Sequence, residues 1–340
     1  MMKKALIPAV LALGFAGAAQ AQLSLYGLID ASYGKSLFSE AFIGKSKADF
    51  HSGGDNGSSE GNSTTRVGIK GAVDVGGGVK ANFRFETGGI TSRGEVNVDP
   101  FTGDTGPFFN RQAWVGLSGS FGEVRLGRQD SVSFQQMIDF DFNGASNGVS
   151  AGGYAGVGVW LPGRQSRSLQ YIAPSMGGFS AQFGFVPKGD NVNRGEPKAK
   201  NVFSAGAKYA AGPLTIGASV QTKSESDTKQ FASVAGSYDL GVAKVMLGYA
   251  DGGKISQNGG GSGPTFGVNF PVAGFNIGAH YANNRDKDAE ITSIEGWINK
   301  EVFKNTYAYL EFGDWKSDKI TIANGKKKAT GYAAGLIFVF

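Results

Sequence analysis

The chain has 340 residues and a formal net charge of +5, and its 55 glycines are about twice the usual share. With 41% hydrophobic and 18% charged residues, it is not a generally disordered chain. The absence of cysteine excludes disulfide scaffolds, thiolate zinc sites and cysteine nucleophiles. A serine triad or a histidine metal site would have to use His51 or His280, the only two histidines.

The first 21 residues differ from the rest of the chain. Lys3 and Lys4 precede an apolar run, and Ala19-Gln20-Ala21 fits an A-x-A cleavage site. This arrangement predicts a secretory signal peptide over residues 1–21 and a mature chain over residues 22–340. A membrane anchor is the alternative, but the apolar run is too short and no stop-transfer pattern follows it.

The remaining chain repeats a two-residue alternation that predicts β-strands. Val67 and Ile69 fall on one face of a segment whose other face carries Arg66 and Lys70. A glycine-rich turn follows, and then residues 79–86 alternate in the same way, which is typical of a hairpin. The same alternation recurs at residues 112–118, 122–127, 181–185, 244–249, 275–281 and 332–340.

The connections between these strands alternate between short and long. The short ones are predicted at residues 76–78, 119–122, 176–178, 211–213, 239–241, 271–274 and 303–305. The long, polar ones are predicted at residues 36–62, 87–109, 129–162, 187–200, 224–229, 251–264, 283–289 and 316–328. Fifteen connections predict sixteen strands, and the mature length allows for that number of membrane strands of roughly 9–11 residues.

The predicted strand number decides which face points inward. A closed sheet of sixteen strands has a lumen too wide for side chains to fill. The apolar faces are therefore expected to point outward into lipid, and the charged faces to line water. The sequence predicts an all-β fold, a 16-stranded antiparallel transmembrane β-barrel. A sandwich or a propeller is the alternative, although neither favours a strict alternation of short and long connections.

Several motifs in chain order resemble the trimeric general porins of the Gram-negative outer membrane, and more closely their betaproteobacterial branch. They are Leu25-Tyr26-Gly27, residues 65–71, residues 110–117, Phe121-Gly122 with Gly127-Arg128-Gln129, and the terminal Phe340. The resemblance implies a homotrimer in outer-membrane lipid and lipopolysaccharide, with passive diffusion of ions and small hydrophilic solutes through each barrel. It also implies that the barrel assembly machinery reads Phe340 as an assembly signal. No cofactor, metal or nucleic acid is expected.

The resemblance also implies a pore constriction. The third long loop, residues 129–162, is expected to fold into the barrel and to carry Asp139 and Asp141. Arg66, Arg111 and Arg164 match the family's constriction cluster through their surrounding motifs. Opposed basic and acidic walls set ion preference, and a weak to moderate preference for anions is expected. Leu28 stands where enteric relatives often carry a lysine, which leaves the size of the positive field open.

Further charges are expected in the lumen as possible additions to this cluster: Lys70, Lys80, Arg84, Arg125 and Arg167. The alternative for all these side chains is that they are solvated lumen charges without a role in selectivity. Asp139-x-Asp141-x-Asn143-Gly144 resembles the start of a calcium-binding loop, but Ser150 occupies the twelfth position, where such a loop needs a glutamate.

Three other functions compete with a passive pore. A sugar- or solute-specific channel would need an aromatic path, for which Trp114 is the single lumen candidate. A barrel enzyme would need a Ser–His or Asp–His arrangement, and neither histidine accompanies a nucleophile motif such as G-x-S-x-G. A structural or adhesive barrel would use its long loops. The sequence favours a passive channel without enzymatic activity.

Overall fold

A computed structural model describes residues 22–45, 47–188, 200–223, 230–252, 261–320 and 325–340. The predicted signal peptide lies outside these ranges. None of the helices within them is long and apolar enough to cross a membrane.

In these ranges, seventeen strands form one antiparallel sheet. They are β1 (Gln22–Lys35), β2 (Asp49–Ser52), β3 (Arg66–Gly76), β4 (Val79–Gly88), β5 (Gln112–Gly119), β6 (Gly122–Asp130), β7 (Arg164–Ile172), β8 (Phe179–Val186), β9 (Val202–Ala211), β10 (Leu214–Gln221), β11 (Phe231–Asp239), β12 (Lys244–Asp251), β13 (Ser262–Val272), β14 (Phe275–Arg285), β15 (Glu290–Phe303), β16 (Thr306–Ser317) and β17 (Lys328–Val339). The short β2 lies in the first long loop. It pairs with residues 31–34 of β1, past Leu28, where the pairing of β1 with β3 stops. The other sixteen strands form the barrel, and the predicted strand number is confirmed.

The sheet closes between its first and last strands. β1 and β17 pair antiparallel from Leu28 opposite Val339 to Lys35 opposite Tyr332. The backbone N–H of Gly27 donates to the carbonyl of Phe340 at 2.9 Å, which extends the pairing to the last residue. Closure removes the two unpaired strand edges that lipid could not solvate.

The two faces of the sheet divide as the alternation predicts. Leu25, Leu126 and Leu247 are 66%, 56% and 64% exposed on the outer face. Large apolar side chains in such numbers on a continuous surface require an apolar solvent, which lipid supplies. The opposite face carries charged side chains such as Lys70 and its cross-strand partner Arg84, and it encloses the lumen.

The third long loop, L3 (residues 131–163), folds into the barrel. It contains α1 (Val132–Met137), a 3-10 turn (Ile138–Phe140) and α2 (Ala151–Ala155). Ser131 and Ser150 begin the two helices by accepting hydrogen bonds from the backbone N–H groups of Phe134 and Gly153. The first long loop adds a π-helical segment (Ser39–Ile43) and a helical turn (Asp55–Ser58).

L3 rests on an apolar part of the lumen wall, which corrects the expectation of a polar inner face throughout. Two clusters of buried side chains join L3 to strands β11 to β17. The wall contributes small residues to them, including Ala235, Ala250 and Ala282. Glycine serves the same purpose at Gly217, where an added Cβ would lie 2.7 Å from the ring of Phe140. Small side chains at lumen positions make room for the loop.

Candidate functional site

A carboxylate shared by two arginines organises the basic side of the lumen. Nε of Arg111 lies 2.6 Å from Oε1 of Glu86, and Nη2 of Arg84 lies 2.7 Å from Oε2. The hydroxyl of Tyr26 donates to the same Oε2 at 2.8 Å and accepts from Nε of Arg84 at 2.6 Å. Glu86 is 1% exposed, so its charge is fully engaged in holding the guanidinium groups.

Arg66 stands beside this pair. It lies opposite Gly88 in the β3–β4 register. An added Cβ on Gly88 would be 2.2 Å from Cδ of Arg111, so the Arg111 side chain crosses Gly88 and approaches Arg66. Nη1 of Arg66 donates to the carbonyl of Thr64 at 3.1 Å, and within the described residues Arg66 makes no ion pair. Its charge is therefore available to the lumen.

Arg164 is the third predicted constriction arginine. Its Nε lies 3.0 Å from Oδ1 of Asp130 in an ion pair whose alignment does not make a hydrogen bond. Its guanidinium lies 5.9 Å from the ring centre of Phe134, on the first turn of α1 in L3. Arg66, Arg84, Arg111 and Arg164 form what we call the arginine wall.

The wall continues toward the short turns. Lys70 is the cross-strand partner of Arg84, and its Nζ lies 5.3 Å from the ring centre of Tyr26. Nη2 of Arg125 lies 2.6 Å from Oε2 of Glu123, and the guanidinium lies 4.4 Å from the ring centre of Trp114.

Lys80 is exposed near the β3–β4 turn, opposite Asp74. Lys70, Lys80, Arg84 and Arg125 therefore follow the predicted alternation.

Arg167 departs from this set. A β-bulge places Ser166 and Arg167 opposite the single residue Arg128 between β6 and β7. Arg167 has a φ of +54° and is exposed. Beyond the bulge, Arg167 lies on the same face of β7 as Leu169, which points outward. The structure therefore does not bring Arg167 to the arginine wall.

The two acidic residues of L3 contact other groups than the arginines. Asp139 forms an ion pair with Lys208 on β9. Asp141 is buried, and its Oδ2 accepts from Ser150 at 3.2 Å and from Nε1 of Trp160 at 3.3 Å. L3 folds back on itself here, so the side chain of Asp141 holds the loop together.

Two glutamates that the sequence analysis did not single out fix L3 to the wall. Oε2 of Glu295 accepts from Nδ2 of Asn143 at 3.0 Å, and Oε1 accepts from the backbone N–H of Ala151 at 3.2 Å. Oε2 of Glu311 accepts from the hydroxyl of Ser146 at 2.9 Å. Both glutamates alternate with outward-facing residues, which is the sequence signal for a lumen position.

His280 belongs to the same network. Its Nδ1 lies 3.0 Å from Oε1 of Glu295, and its Nε2 accepts from the backbone N–H of Phe142 at 3.3 Å. Asp141, His280 and Glu295 bring their ligand atoms within 4.8 Å of one another, a spacing that a metal ion could use. Each group already has protein partners, so the cluster is explained as an anchor for L3.

A closed barrel with an apolar exterior, a charged lumen and a loop folded inside defines a channel protein of the outer membrane. The chain belongs to the Gram-negative porin family, whose model matches residues 8–319. The protein is located in the outer membrane of a Gram-negative bacterium, as the sequence analysis expected.

Curated relatives and solved structures agree with this assignment. The chain is 34% identical over 276 residues to an outer membrane porin protein of Bordetella pertussis, covering 73% of this chain and 69% of the relative. It is 30% identical over 302 residues to outer membrane porin protein 32 of Delftia acidovorans, covering 80% and 77%. The anion-selective porin from Comamonas acidovorans superposes with a TM-score of 0.72 at 23% identity, covering 94% of this chain and 100% of that one. The predicted 16-stranded fold is confirmed, and these relatives are named as porins rather than as enzymes.

Proposed function

We propose that this porin passes ions and small hydrophilic solutes by passive diffusion and prefers small anions weakly to moderately. The observation that carries the proposal is the composition of the arginine wall. Arg84 and Arg111 share one carboxylate, Glu86, while Arg66 makes no ion pair in the described part of the chain. The wall therefore has a net positive charge at the level of L3, where the lumen is narrowed.

The acidic residues of L3 support this assignment. Asp139 is paired with Lys208, and Asp141 is buried in the loop. Neither carboxylate opposes the arginine wall with an unpaired negative charge. The Comamonas porin is described as anion-selective, and the same sign of preference is proposed here.

Assembly is part of the proposal. A homotrimer is supported by the solved OmpT of Vibrio cholerae, which is described in a trimer form and superposes with a TM-score of 0.63. Residues 1–21 would direct export, after which the barrel assembly machinery would insert the chain beside lipopolysaccharide. Phe340 is 43% exposed on the outer face, where such machinery could reach it.

The test replaces Arg66, Arg111 and Arg164 together by serine and measures the zero-current potential of planar bilayers in a tenfold KCl gradient. A pore that passed only one of the two ions would give a zero-current potential of about 60 mV in this gradient. A tenfold concentration ratio is worth about 1.4 kcal/mol, and a potential of 100 mV is worth about 2.3 kcal/mol per charge. We expect the potential to move by at least about 10 mV in the cation direction. Conductance should hold or rise, because three long side chains leave the pore.

A matched control removes three exposed positive charges outside the lumen, with Arg93, Lys287 and Lys304 replaced by serine. The control should keep the parent's potential. An unchanged potential in the lumen variant would show that these three arginines do not set ion preference.

A further inference from the structure

A second group of polar side chains lies across the lumen from the arginine wall. It surrounds a cavity of about 530 Å³ beside L3, on strands β9 to β15. We call it the asparagine pocket, and the residues used below are Phe142, Lys208, Lys244, Asn269, Asn276 and Asn299. Its volume is within the range of roughly 300–1,000 Å³ that is typical of small-molecule sites.

The two lysines of the pocket differ in their partners. Lys208 pairs with Asp139, which lines the same cavity. Lys244 makes no ion pair within the described residues, and its Nζ lies 5.1 Å from the ring centre of Phe142. Asp141 also lines the cavity, but its Oδ2 already accepts hydrogen bonds from Ser150 and Trp160. Lys244, held beside an apolar ring face, is thus the lysine of the pocket that no described carboxylate pairs, and it can attract an anion.

The rest of the wall offers hydrogen bonds. Asn269 is the cross-strand partner of Lys244, and Asn276 is the partner of Asn299. Nδ2 of Asn276 donates to Oδ1 of Asn299 at 3.1 Å, which leaves further donors and acceptors on both amides. Oδ1 of Asn269 is buried and has no hydrogen-bond partner in the described ranges. A solute in the pore reaches the amides of Asn276 and Asn299 instead, whose hydrogen bond is exposed.

We infer that the asparagine pocket binds hydroxylated carboxylates, such as a six-carbon sugar acid, during their passage through the pore. Lys244 takes the carboxylate, the amides of Asn276 and Asn299 take the hydroxyl groups, and the ring of Phe142 packs on the C–H face. A neutral polyol lacks the charge, and a simple fatty acid lacks the hydroxyls. The inference rests on the proposed anion-preferring pore and adds a solute class to it.

The experiment compares three six-carbon probes: gluconate, sorbitol and hexanoate. Each is added to single channels in symmetric KCl, and the excess current noise from transient occupancy gives an apparent affinity. We expect gluconate to bind at least about tenfold more tightly than sorbitol or hexanoate, because it alone makes both the charge-assisted and the neutral hydrogen bonds. Equal noise from all three probes would overturn the inference.

Two variants locate the binding. Lys244→Gln should lower gluconate affinity about tenfold, and Asn276→Ser should weaken gluconate while leaving hexanoate unchanged. Lys300→Gln is the matched control, because Lys300 contacts Phe275 at the same end of the barrel without lining the pocket. Unchanged gluconate affinity in both pocket variants would refute the assignment.

The zero-current potential in a KCl gradient separates this inference from the proposed function. An anion-directed potential in Lys244→Gln, together with lost gluconate binding, supports the pocket as a distinct site. A cation-directed potential in the parent would instead contradict the anion preference on which the inference rests.

Discussion

Replacing Phe140 by alanine tests how L3 is held inside the barrel. Phe140 is fully buried between the loop and the wall, with its ring over Gly217. The other buried members of its cluster are Met137, Val159, Ala235 and Met246. The cluster combines residues of the loop with residues of β11 and β12, so truncating Phe140 weakens the attachment of L3 directly.

The expected size of the effect follows from the burial. Phe→Ala in a packed core costs about 3–5 kcal/mol. The barrel itself is held by the strand ladder, so this cost falls mainly on the docking of L3. Since about 1.4 kcal/mol is a factor of ten, the undocked fraction should rise by at least about 100-fold.

The absence of cysteine makes this change measurable. Ser133→Cys places a thiol on the buried face of α1, where the serine hydroxyl lies 2.7 Å from that of Ser219. The rate of labelling by a soluble thiol reagent reports how often L3 leaves the wall. With this reporter, Phe140→Ala should label at least about 100-fold faster than the parent. Phe50→Ala, on an exposed side chain in the first long loop, should not change the rate. Equal rates for all three proteins would refute the view that this cluster holds L3.

Two further predictions concern the terminus and the first long loop. Deleting Phe340 removes its backbone hydrogen bonds with Gly27 and should lower the yield of SDS-resistant trimer. Phe338→Leu keeps an apolar outward side chain and should lower the yield much less. Equal yields on a cell-envelope gel would show that Phe340 is only one of the aromatic residues at the membrane interface, without a special role in assembly. Burial alone would lower the pKa of His51, but Asp55 and neighbouring carboxylates outweigh it and raise the pKa, while the pKa of Asp55 falls to about 2. The stabilisation is therefore complete below about pH 6.5, the ordinary pKa of histidine, and is lost as the pH rises through the raised pKa of His51. Protease resistance of this loop should fall as the pH rises above about 6.5 in the parent and stay flat in His51→Gln. A pH-dependent resistance that persists in His51→Gln would assign it to another group.

The alternation of side chains made the barrel and most of its lumen charges predictable. A strand places every second residue on one face, so Arg66, Lys70 and Arg84 could be assigned to the lumen from their positions alone. The same argument fails at Arg167, because a β-bulge shifts the alternation by one residue. The position of a bulge cannot be predicted from the alternation itself.

The path of L3 inside the barrel could not be predicted from the sequence. The family resemblance implied an acidic wall from Asp139 and Asp141, but their partners depend on how an irregular loop folds against distant strands. Glu295 and Glu311 hold that loop through contacts more than 140 residues apart in the chain. Small residues at lumen positions, such as Gly217 and Ala235, were a signal for a docked loop, since an inner face in open water has no need of them.

The zero-current potential of the unmodified porin in a tenfold KCl gradient is the most direct test of the arginine wall as the selectivity element. The measurement needs purified trimer in a planar bilayer of neutral lipid, so that membrane charge does not contribute. A potential of the sign set by chloride, below the limit of about 60 mV, is the predicted result. A potential of the sign set by potassium would contradict the account, because it would mean that acidic groups, rather than Arg66 and its neighbours, control the narrowest part of the pore.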